Sequence, residues 1–245
     1  MGNGLVMSKS KMIVVTGGNG RFGKVLKKYK QKNKNFLFPS KKELNILNEK
    51  SIEKYLKRKK PKILLHLAGL SRPMNIHEKN INESIKLNII GTSNIVNICS
   101  KFNIKIIYFS TNYVYPNKKG FYKETDPVQP FNNYAWSKLG GECAVRLYKN
   151  SLILRVCMTE YPFIHKSAYT NMYTNFIYHK DLVKILDKIY NKFGVINVGG
   201  PGKSVYDFAK KDLPNIKKQK LRKNQKNTMP QFTVMNLKKL KKIIN

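Results

Sequence analysis

Short apolar runs alternate with amphipathic helical segments along most of the chain, and this alternation limits the possible folds more than any other feature. Six runs predict buried strands, namely MIVV at 12–15, NFLF at 35–38, KILLHLAG at 62–69, IKIIYFS at 104–110, SLILRV at 151–156 and GVINV at 194–198. Helical periodicity between these runs predicts the connecting helices. Such an order requires right-handed crossovers and a parallel sheet covered on both faces. The sequence therefore predicts an α/β fold with a doubly wound parallel sheet.

A glycine-rich turn directly follows the first predicted strand. The stretch TGGNGRFG places Gly17, Gly20 and Gly23 in a GxxGxxG spacing before an amphipathic helix. Glycine allows a sharp turn, a close approach of a pyrophosphate to the backbone, and tight packing of strand and helix. The N-terminal amides of the helix would then face the phosphates. We therefore predict a dinucleotide site of the Rossmann type at this turn.

The extent of the alternation predicts how the 245 residues are divided. We expect residues 1–200 to form the NAD(P)-binding domain, with substrate-lining segments at about 155–180. Beyond residue 200 the alternation fades and three prolines interrupt the chain, so residues 201–245 should form a small C-terminal appendage on the substrate side. Within the first part, the pattern that places Ile85, Ile89 and Val96 on one side predicts a single long helix.

The end of the second predicted strand bears on the choice of dinucleotide. An acidic residue at this position would bind the ribose 2′-hydroxyl of NAD. Here the strand ends FLFPSKKE, which places Lys41 and Lys42 near that position and Glu43 further along. Arg21 in the glycine turn could also face a 2′-phosphate. We therefore expect NADP, with NADPH preferred and NAD as the alternative.

Tyr134 and Lys138 stand four residues apart in NNYAWSKLGGE, on one face of a predicted helix. The spacing alone decides nothing, because three other pairs share it: Tyr55/Lys59, Tyr115/Lys119 and Tyr206/Lys210. The context of Tyr134 is different, since its helix follows a strand that ends at Ser110 and Thr111. Ligands of a parallel sheet bind at the carboxyl ends of its strands. We therefore expect Tyr134, Lys138 and the strand-end hydroxyls at one site.

The motifs TGGNGRFG, NIIGTSN, FSTNYVYP and YAWSK, in this order, resemble the extended short-chain dehydrogenase/reductase family. Within that family, the stretch at 110–142 is most similar to dTDP-4-dehydrorhamnose reductases and related nucleotide-sugar reductases. The similarity extends over about residues 12–200. The resemblance implies an NAD(P)H-dependent reductase acting on the 4-keto group of a nucleotide-linked deoxysugar.

The resemblance also implies the residues of the site. Its catalytic residues are Thr111, Tyr134 and Lys138. Lys138 would lower the pKa of the Tyr134 phenol. Thr111 would donate a hydrogen bond to the carbonyl oxygen of the substrate, and Ser110 is the alternative donor. Asn88 is either a structural polar residue or part of a proton relay. The implied cofactor contacts are Tyr134 and Lys138 together with Gly17, Asn19, Gly20, Arg21, Phe22, Gly23, Asn45, Ile46, Ala68, Gly69 and Leu70. The implied substrate contacts are Thr111, Asn112 and Met158, the last in place of the tryptophan typical of these reductases.

Two other functions stay open at this point. One is a nucleotide-sugar epimerase or dehydratase, or a bifunctional epimerase/reductase. The bifunctional enzymes carry a cysteine two positions after the catalytic hydroxyl residue, where this chain has Tyr113, so a simple reductase is favoured. The other is a non-catalytic, NADP-binding regulatory subunit, which the retained Thr111, Tyr134 and Lys138 disfavour.

Composition and resemblance together indicate the partners. The helices that hold Asn88 and Tyr134 resemble the pair that forms a four-helix dimer bundle in this family, so we expect a homodimer. The formal charge is +35, but the lysines are spread along the whole chain, and we therefore expect no nucleic-acid partner. We expect neither a membrane span nor a signal peptide, which favours the cytoplasm. The spacing of the histidines and cysteines predicts no metal site.

Overall fold

The computed structural model of the protein describes residues 11–222 and 229–245. The expectation that the chain starts without a signal peptide concerns residues 1–10, which lie outside the described part. Within the two described ranges, none of the helices combines the length and the apolar character that a membrane crossing requires.

A six-stranded parallel sheet forms the centre of the molecule. The strands of the described chain are β1 (Ile13–Thr16), β2 (Phe36–Leu37), β3 (Ile63–His66), β4 (Lys105–Thr111), β5 (Ser151–Val156), β6 (Met158–Thr159), β7 (Ser167–Tyr169), β8 (Tyr173–Thr174), β9 (Ile177–Tyr178), β10 (Gly194–Val198), β11 (Lys203–Ser204) and β12 (Lys217–Gln219). The central sheet has the order β10-β5-β4-β3-β1-β2, and every neighbouring pair is parallel. This order confirms the predicted doubly wound sheet of the Rossmann type.

Helices cover both faces of this sheet. They are α1 (Arg21–Lys30), α2 (Glu49–Lys59), α3 (Ile76–Lys79), α4 (Ile81–Ser84), α5 (Gly91–Lys101), α6 (Asn133–Arg146), α7 (His179–Ile189), α8 (Val205–Ala209) and α9 (Lys238–Ile244). Val14 and Leu64 pack with α2 and α5 on one face, whereas Val15 and Leu65 pack with α1 and α7 on the other. Because successive side chains of a strand point to opposite faces, the apolar runs are buried on both sides.

The long helix predicted after β3 is confirmed, because the chain is helical without a break from Ile81 to Lys101, and the short helix α3 precedes it. Asn80 leaves the helical conformation between α3 and α4, and its side chain caps α4 by accepting a hydrogen bond from the Glu83 amide. A π-helical turn, Ile85–Ile90, then joins α4 to α5. At its end Gly91 packs so closely on Ile46 that a Cβ atom would lie 2.7 Å from the Ile46 Cδ1 atom.

The chain beyond residue 200 contributes side chains to two different apolar clusters. The short helix α8 joins a small apolar cluster with residues of the preceding segment: Phe163, Ala168, Met172, Val205, Ala209 and Ile216. In contrast, α9 returns to the central sheet, where Leu240 is buried in the same core as α1 and α7. The main core therefore extends past the predicted boundary at residue 200, and the division at that residue stays a prediction.

A buried ion pair connects α6 to the middle of the sheet. The Arg155 guanidinium donates from Nη2 to Glu142 Oε1 at 2.7 Å and from Nε to Glu142 Oε2 at 3.3 Å, and both side chains are fully buried. The neighbouring strand also contributes, because the Ser110 hydroxyl donates to Glu142 Oε2 at 2.7 Å. Burial alone would raise the pKa of Glu142, but Arg155 and Ser110 hold that pKa below its usual value. The carboxylate thus joins one helix to two strands.

We expect the variant Arg155→Met to lower the free energy of unfolding by about 3–5 kcal/mol, because it leaves a buried carboxylate without its main counter-charge. The variant Arg146→Met is the matched control, since Arg146 pairs with the same carboxylate from an exposed position. Its loss should be about 0–1 kcal/mol. Urea titration of both variants gives the comparison, and equal losses would contradict the structural role of the buried pair.

Candidate active site

A single cleft opens at the carboxyl ends of β1, β3, β4 and β5. Most of the site residues predicted from the sequence line this cleft: Gly17, Gly20, Arg21, Phe22, Gly23, Gly69, Leu70, Thr111, Asn112, Tyr134, Lys138 and Met158. The cleft therefore combines the glycine turn with the tyrosine and lysine of α6, as the strand-end rule predicts.

Four residues expected to contact the cofactor lie elsewhere. Asn19 is exposed at the tip of the glycine turn. The Asn45 side chain accepts a hydrogen bond from the Leu47 amide at 3.1 Å, and Ile46 is buried against α5. Ala68 packs with the apolar cluster on the α2 and α5 side of the sheet. These four residues do not line the cleft as the other predicted residues do, and their contacts with a cofactor stay predictions.

The glycine turn packs closely against neighbouring backbone at two of its positions beside the first turn of α1. Gly17 has a φ of +72°, and a Cβ atom there would lie 2.6 Å from the Ala68 nitrogen. A Cβ atom on Gly23 would lie 2.3 Å from the Gly17 carbonyl oxygen. Only glycine suits both positions. The first turn of α1 carries no acidic residue, so its amides and positive dipole end can face an anion.

The first turn of α6 places Tyr134 beside the end of β4. The helix begins at Asn133, and the Asn132 side chain caps it by accepting a hydrogen bond from the Ala135 amide at 2.9 Å. Burial raises the pKa of the Tyr134 phenol, while hydrogen bonding to the Thr111 hydroxyl and the charges of Arg72 and Arg21 oppose that rise. The phenol is therefore protonated at neutral pH and can act as a proton donor.

Lys138 follows one turn later and is also buried. Its Nζ atom lies over the ring of Tyr108, 4.3 Å from the ring centroid. Burial lowers the pKa of this ammonium to about 7, and the negative charge of Glu142 opposes the shift. A group with this pKa changes charge near neutral pH, which is a property found often at functional sites.

The structure distinguishes the two hydroxyls at the end of β4. The Ser110 hydroxyl donates its hydrogen bond to the buried Glu142 carboxylate, so the Ser110 proton is not free for a substrate. Thr111 instead accepts a hydrogen bond from the Tyr113 amide at 3.2 Å, which leaves the Thr111 proton for Tyr134 or a ligand. This difference favours Thr111 over Ser110 as the hydrogen-bond donor to a substrate.

Asn88 holds the loop after β3 against α6. Its Oδ1 atom accepts a hydrogen bond from the Leu70 amide at 2.7 Å, and its Nδ2 atom donates to the Leu70 carbonyl at 2.9 Å and to Ser137 Oγ at 2.8 Å. Both donor hydrogens of the side-chain amide are thus used. These contacts favour the structural alternative for Asn88.

Asn112 has structural partners as well. Its Nδ2 atom donates to Thr174 Oγ1 and to Thr233 Oγ1, each at 3.0 Å, and so connects the end of β4 to two segments on the substrate side. Asn112 also lines the cleft, beside Met158. Its place in the cleft agrees with a substrate contact, but its amide hydrogens are engaged within the protein.

Several residues that face the cleft were not predicted. Arg72, Tyr113 and Glu160 line it, and the ring of His77 packs edge-on against Tyr134 with 5.1 Å between the ring centroids. Arg72 and Glu160 follow the ends of β3 and β6, so the strand-end rule could have indicated them. Among residues 11–222 and 229–245, no group of three or more His, Cys, Asp or Glu side chains could hold a metal ion.

Comparison with known proteins shows to which family the chain belongs. The RmlD substrate binding domain family matches residues 11–189, which is more than half of the chain. The chain belongs to the RmlD substrate binding domain family. This match confirms the resemblance inferred from the sequence motifs.

Curated proteins that are similar to this chain carry different names. The chain is 28% identical over 151 residues to dTDP-4-dehydrorhamnose reductase from Aggregatibacter actinomycetemcomitans, covering 60% of this chain and 51% of that protein. It is also 28% identical over 156 residues to methionine adenosyltransferase 2 subunit beta from Xenopus laevis, covering 60% and 46%. The chain thus spans about half the length of the curated relatives it matches.

Solved structures similar to this RmlD-family chain confirm its fold. The dTDP-4-dehydrorhamnose reductase from Bacillus anthracis, determined in complex with NADP, has a TM-score of 0.83 at 21% identity and covers 94% of this chain and 91% of its own. UDP-glucose 4-epimerase from Thermus thermophilus, in complex with NAD, has a TM-score of 0.76 at 16% identity and covers 94% and 92%.

We expect the variant Lys138→Met to be more stable than the natural protein at neutral pH. The folded-state pKa of Lys138 is about 7, below the model-peptide value of 10.5, so the buried ammonium destabilises the fold fully below pH 7. That cost disappears as the pH rises towards the unfolded-state pKa. The melting temperature should rise by roughly 10 °C or more at pH 6.5 and by only a few degrees at pH 9.5, with about 1.4 kcal/mol for each pKa unit and about 2–4 °C for each kcal/mol.

Thermal unfolding at the two pH values measures this effect. The variant Tyr134→Phe is the control, because it removes a hydroxyl from the same helix without removing a buried charge. A gain that is the same at both pH values, or a gain of the same size in the control, would contradict the assigned environment of Lys138.

Proposed function

We propose that the protein is an NAD(P)H-dependent reductase of the 4-keto group of a nucleotide-linked deoxysugar. The observation that carries this proposal is that Thr111, Tyr134 and Lys138 line the same cleft as the glycine turn. A dinucleotide with its phosphates on the turn would extend its nicotinamide towards these three side chains. The curated reductase relative supports this substrate class.

The residues of the cleft suit the reduction of a carbonyl group. The bound dinucleotide would supply a hydride to the carbonyl carbon. Tyr134 would give its phenolic proton to the carbonyl oxygen, and the Lys138 ammonium one turn away would stabilise the phenolate that results. Thr111 would donate a hydrogen bond to the same oxygen while negative charge develops there. Segments from about 155–180 and the chain beyond residue 200 would contact the sugar.

NADPH is the reduced dinucleotide that we favour. The chain lacks an acidic residue directly at the end of β2, and the carboxylate of Glu43 is engaged nearby, because it accepts hydrogen bonds from the Ser40 amide at 2.8 Å and hydroxyl at 3.0 Å. Lys41 and Lys42 are exposed on the same turn and could attract a 2′-phosphate. The solved relative in complex with NADP supports this choice, whereas other neighbours bind NAD.

We expect the variant Tyr134→Phe to lose at least about a hundredfold in turnover, because the proton donor is removed. Its affinity for NADPH should stay nearly unchanged. Oxidation of NADPH against a panel of nucleotide 4-keto-6-deoxysugars measures turnover, and fluorescence titration measures affinity. The variant Tyr55→Phe is the matched control, since Tyr55 has a lysine at the same spacing on α2 but lies in the core. Full activity of Tyr134→Phe would refute the role of the phenol.

A non-catalytic regulatory subunit is the second candidate function. Its support is the group of curated relatives that are beta subunits of methionine adenosyltransferase 2, which are as similar to this chain as the reductase is. This candidate predicts no NADPH oxidation with any sugar nucleotide, together with a change in the activity of a methionine adenosyltransferase on mixing. Turnover of any substrate in the panel would instead support the reductase.

We further propose that two copies of the chain associate through α4–α6. These helices carry exposed apolar side chains that an aqueous surface would disfavour: Ile81, Ile85, Ile90 and Trp136. Two such faces packed together would form the four-helix bundle expected from the family resemblance. A C2 interface of this kind is self-complementary, so one substitution changes both halves of it.

The variant Trp136→Glu should therefore shift the protein from dimer to monomer, because it introduces a charge into an apolar interface. Size-exclusion chromatography with light scattering gives the mass directly. Phe121→Glu is the control, because Phe121 is also exposed but lies outside these helices. A monomeric natural protein, or a dimeric Trp136→Glu variant, would argue against this interface.

A further inference from the structure

Two arginines and one glutamate form a charged cluster at the cleft, which we call the arginine–glutamate cluster: Arg21, Arg72 and Glu160. The Arg21 Nη1 atom lies 3.2 Å from Glu160 Oε1, and the Arg72 Nη1 atom lies 3.7 Å from the same oxygen. Arg21 also donates from Nη2 to the Ser71 hydroxyl at 3.2 Å. Three separate loops, after β1, β3 and β6, thus meet at one carboxylate.

The direction of Arg21 differs from the sequence-based expectation that it faces a 2′-phosphate at the end of β2. Its guanidinium points instead to the loops after β3 and β6, because Glu160 and Ser71 provide a charge and an acceptor there. The charges of Arg21 and Arg72 both lower the pKa of Tyr134, which places them within electrostatic range of the proposed proton donor. The cluster lines the same cleft as the glycine turn and Tyr134.

The composition of the cluster suits an anionic ligand better than a permanent ion pair. Two guanidinium groups share one carboxylate, so one positive charge is left uncompensated. The three side chains are 42% (Arg21), 36% (Arg72) and 19% (Glu160) exposed, and a ligand can therefore reach them. Guanidinium groups bind carboxylate and phosphate oxygens with the same forked geometry. A phosphate group can thus replace the carboxylate without any other change in donors.

We propose that Arg21 and Arg72 bind a diphosphate group, and that Glu160 occupies the two guanidinium groups until the diphosphate displaces it. This inference rests on the proposed function, in which both the dinucleotide and the sugar nucleotide carry a diphosphate. Glu160 is then a specificity-determining residue: it weakens the binding of all anions, and only a ligand with enough additional contacts overcomes it. Arg21 belongs to the glycine turn, and Arg72, from the loop after β3, reaches the same Glu160 oxygen in the cleft.

The variant Glu160→Gln tests this competition, because it keeps the shape of the side chain and removes its charge. Affinity for inorganic pyrophosphate, measured by calorimetry at fixed ionic strength, should rise about three- to fivefold, the size of one partly exposed ion pair. Arg21→Gln and Arg72→Gln should each weaken binding by a similar factor. In the double variant Arg21→Gln/Arg72→Gln, the added Glu160→Gln change should have no further effect.

Two sources of the diphosphate are distinguished by titrating NADPH and dTDP in parallel. The ligand that gains affinity in Glu160→Gln and loses it in the arginine variants is the one that binds here. The control Glu83→Gln makes the same charge change at α4, away from the cleft. A similar gain in this control, a weaker affinity in Glu160→Gln, or a gain confined to inorganic pyrophosphate would overturn the proposal.

The outcome of the Glu160→Gln experiment can be distinguished from the outcome of the tests of the proposed function. If the natural protein neither binds NADPH nor turns over a sugar nucleotide, the reductase proposal fails. A Glu160-dependent gain for pyrophosphate and dTDP would still support the diphosphate site. If NADPH is bound and oxidised but Glu160→Gln leaves every affinity unchanged, the reductase stands and the role of Glu160 is overturned.

Discussion

The pairing of Glu142 with Arg155 is the interaction on which the geometry of the cleft depends. Ser110 and Arg155 are register partners on β4 and β5, and both contact the carboxylate of Glu142 on α6. The same helix carries Lys138 one turn and Tyr134 two turns earlier. The pair therefore helps to fix the position of α6 relative to the strand ends, together with the hydrogen bond from the Tyr108 hydroxyl to the Lys138 carbonyl at 3.1 Å.

Further polar groups hydrogen-bond to this pair and extend it into a network. The Arg155 Nη1 atom donates to the Tyr115 hydroxyl at 2.8 Å, and that hydroxyl donates to Asn197 Oδ1 on β10 at 2.8 Å. Buried polar groups are tolerated when each has its partner, and such networks define one arrangement of the surrounding elements. Here they connect α6, β4, β5 and β10. The negative charge of Glu142 in this network partly offsets the cost of burying the Lys138 ammonium nearby.

Much of the fold could be predicted from the sequence, because strands and helices follow from local periodicity. The run 151–156 agrees with the structure to the residue. The π-helical turn before Gly91 could not be predicted, since Gly91 packs against Ile46, which comes from another part of the chain. The hydrogen bond of Ser110 could not be predicted for the same reason, because its partner lies on α6. The direction of the Arg21 side chain could not be predicted either, because it depends on a glutamate far along the sequence. Local patterns contain no information about such partners.

The return of α9 to the central core has a consequence for how the cleft can open. The segment between β10 and α9 leaves the sheet and comes back to it, so both of its ends are anchored in one rigid body. Asn112 anchors it again through Thr233. Attachment at several points opposes rotation of this segment as an independent lobe about a hinge. This packing favours ligand entry through small movements of side chains and short loops at the rim.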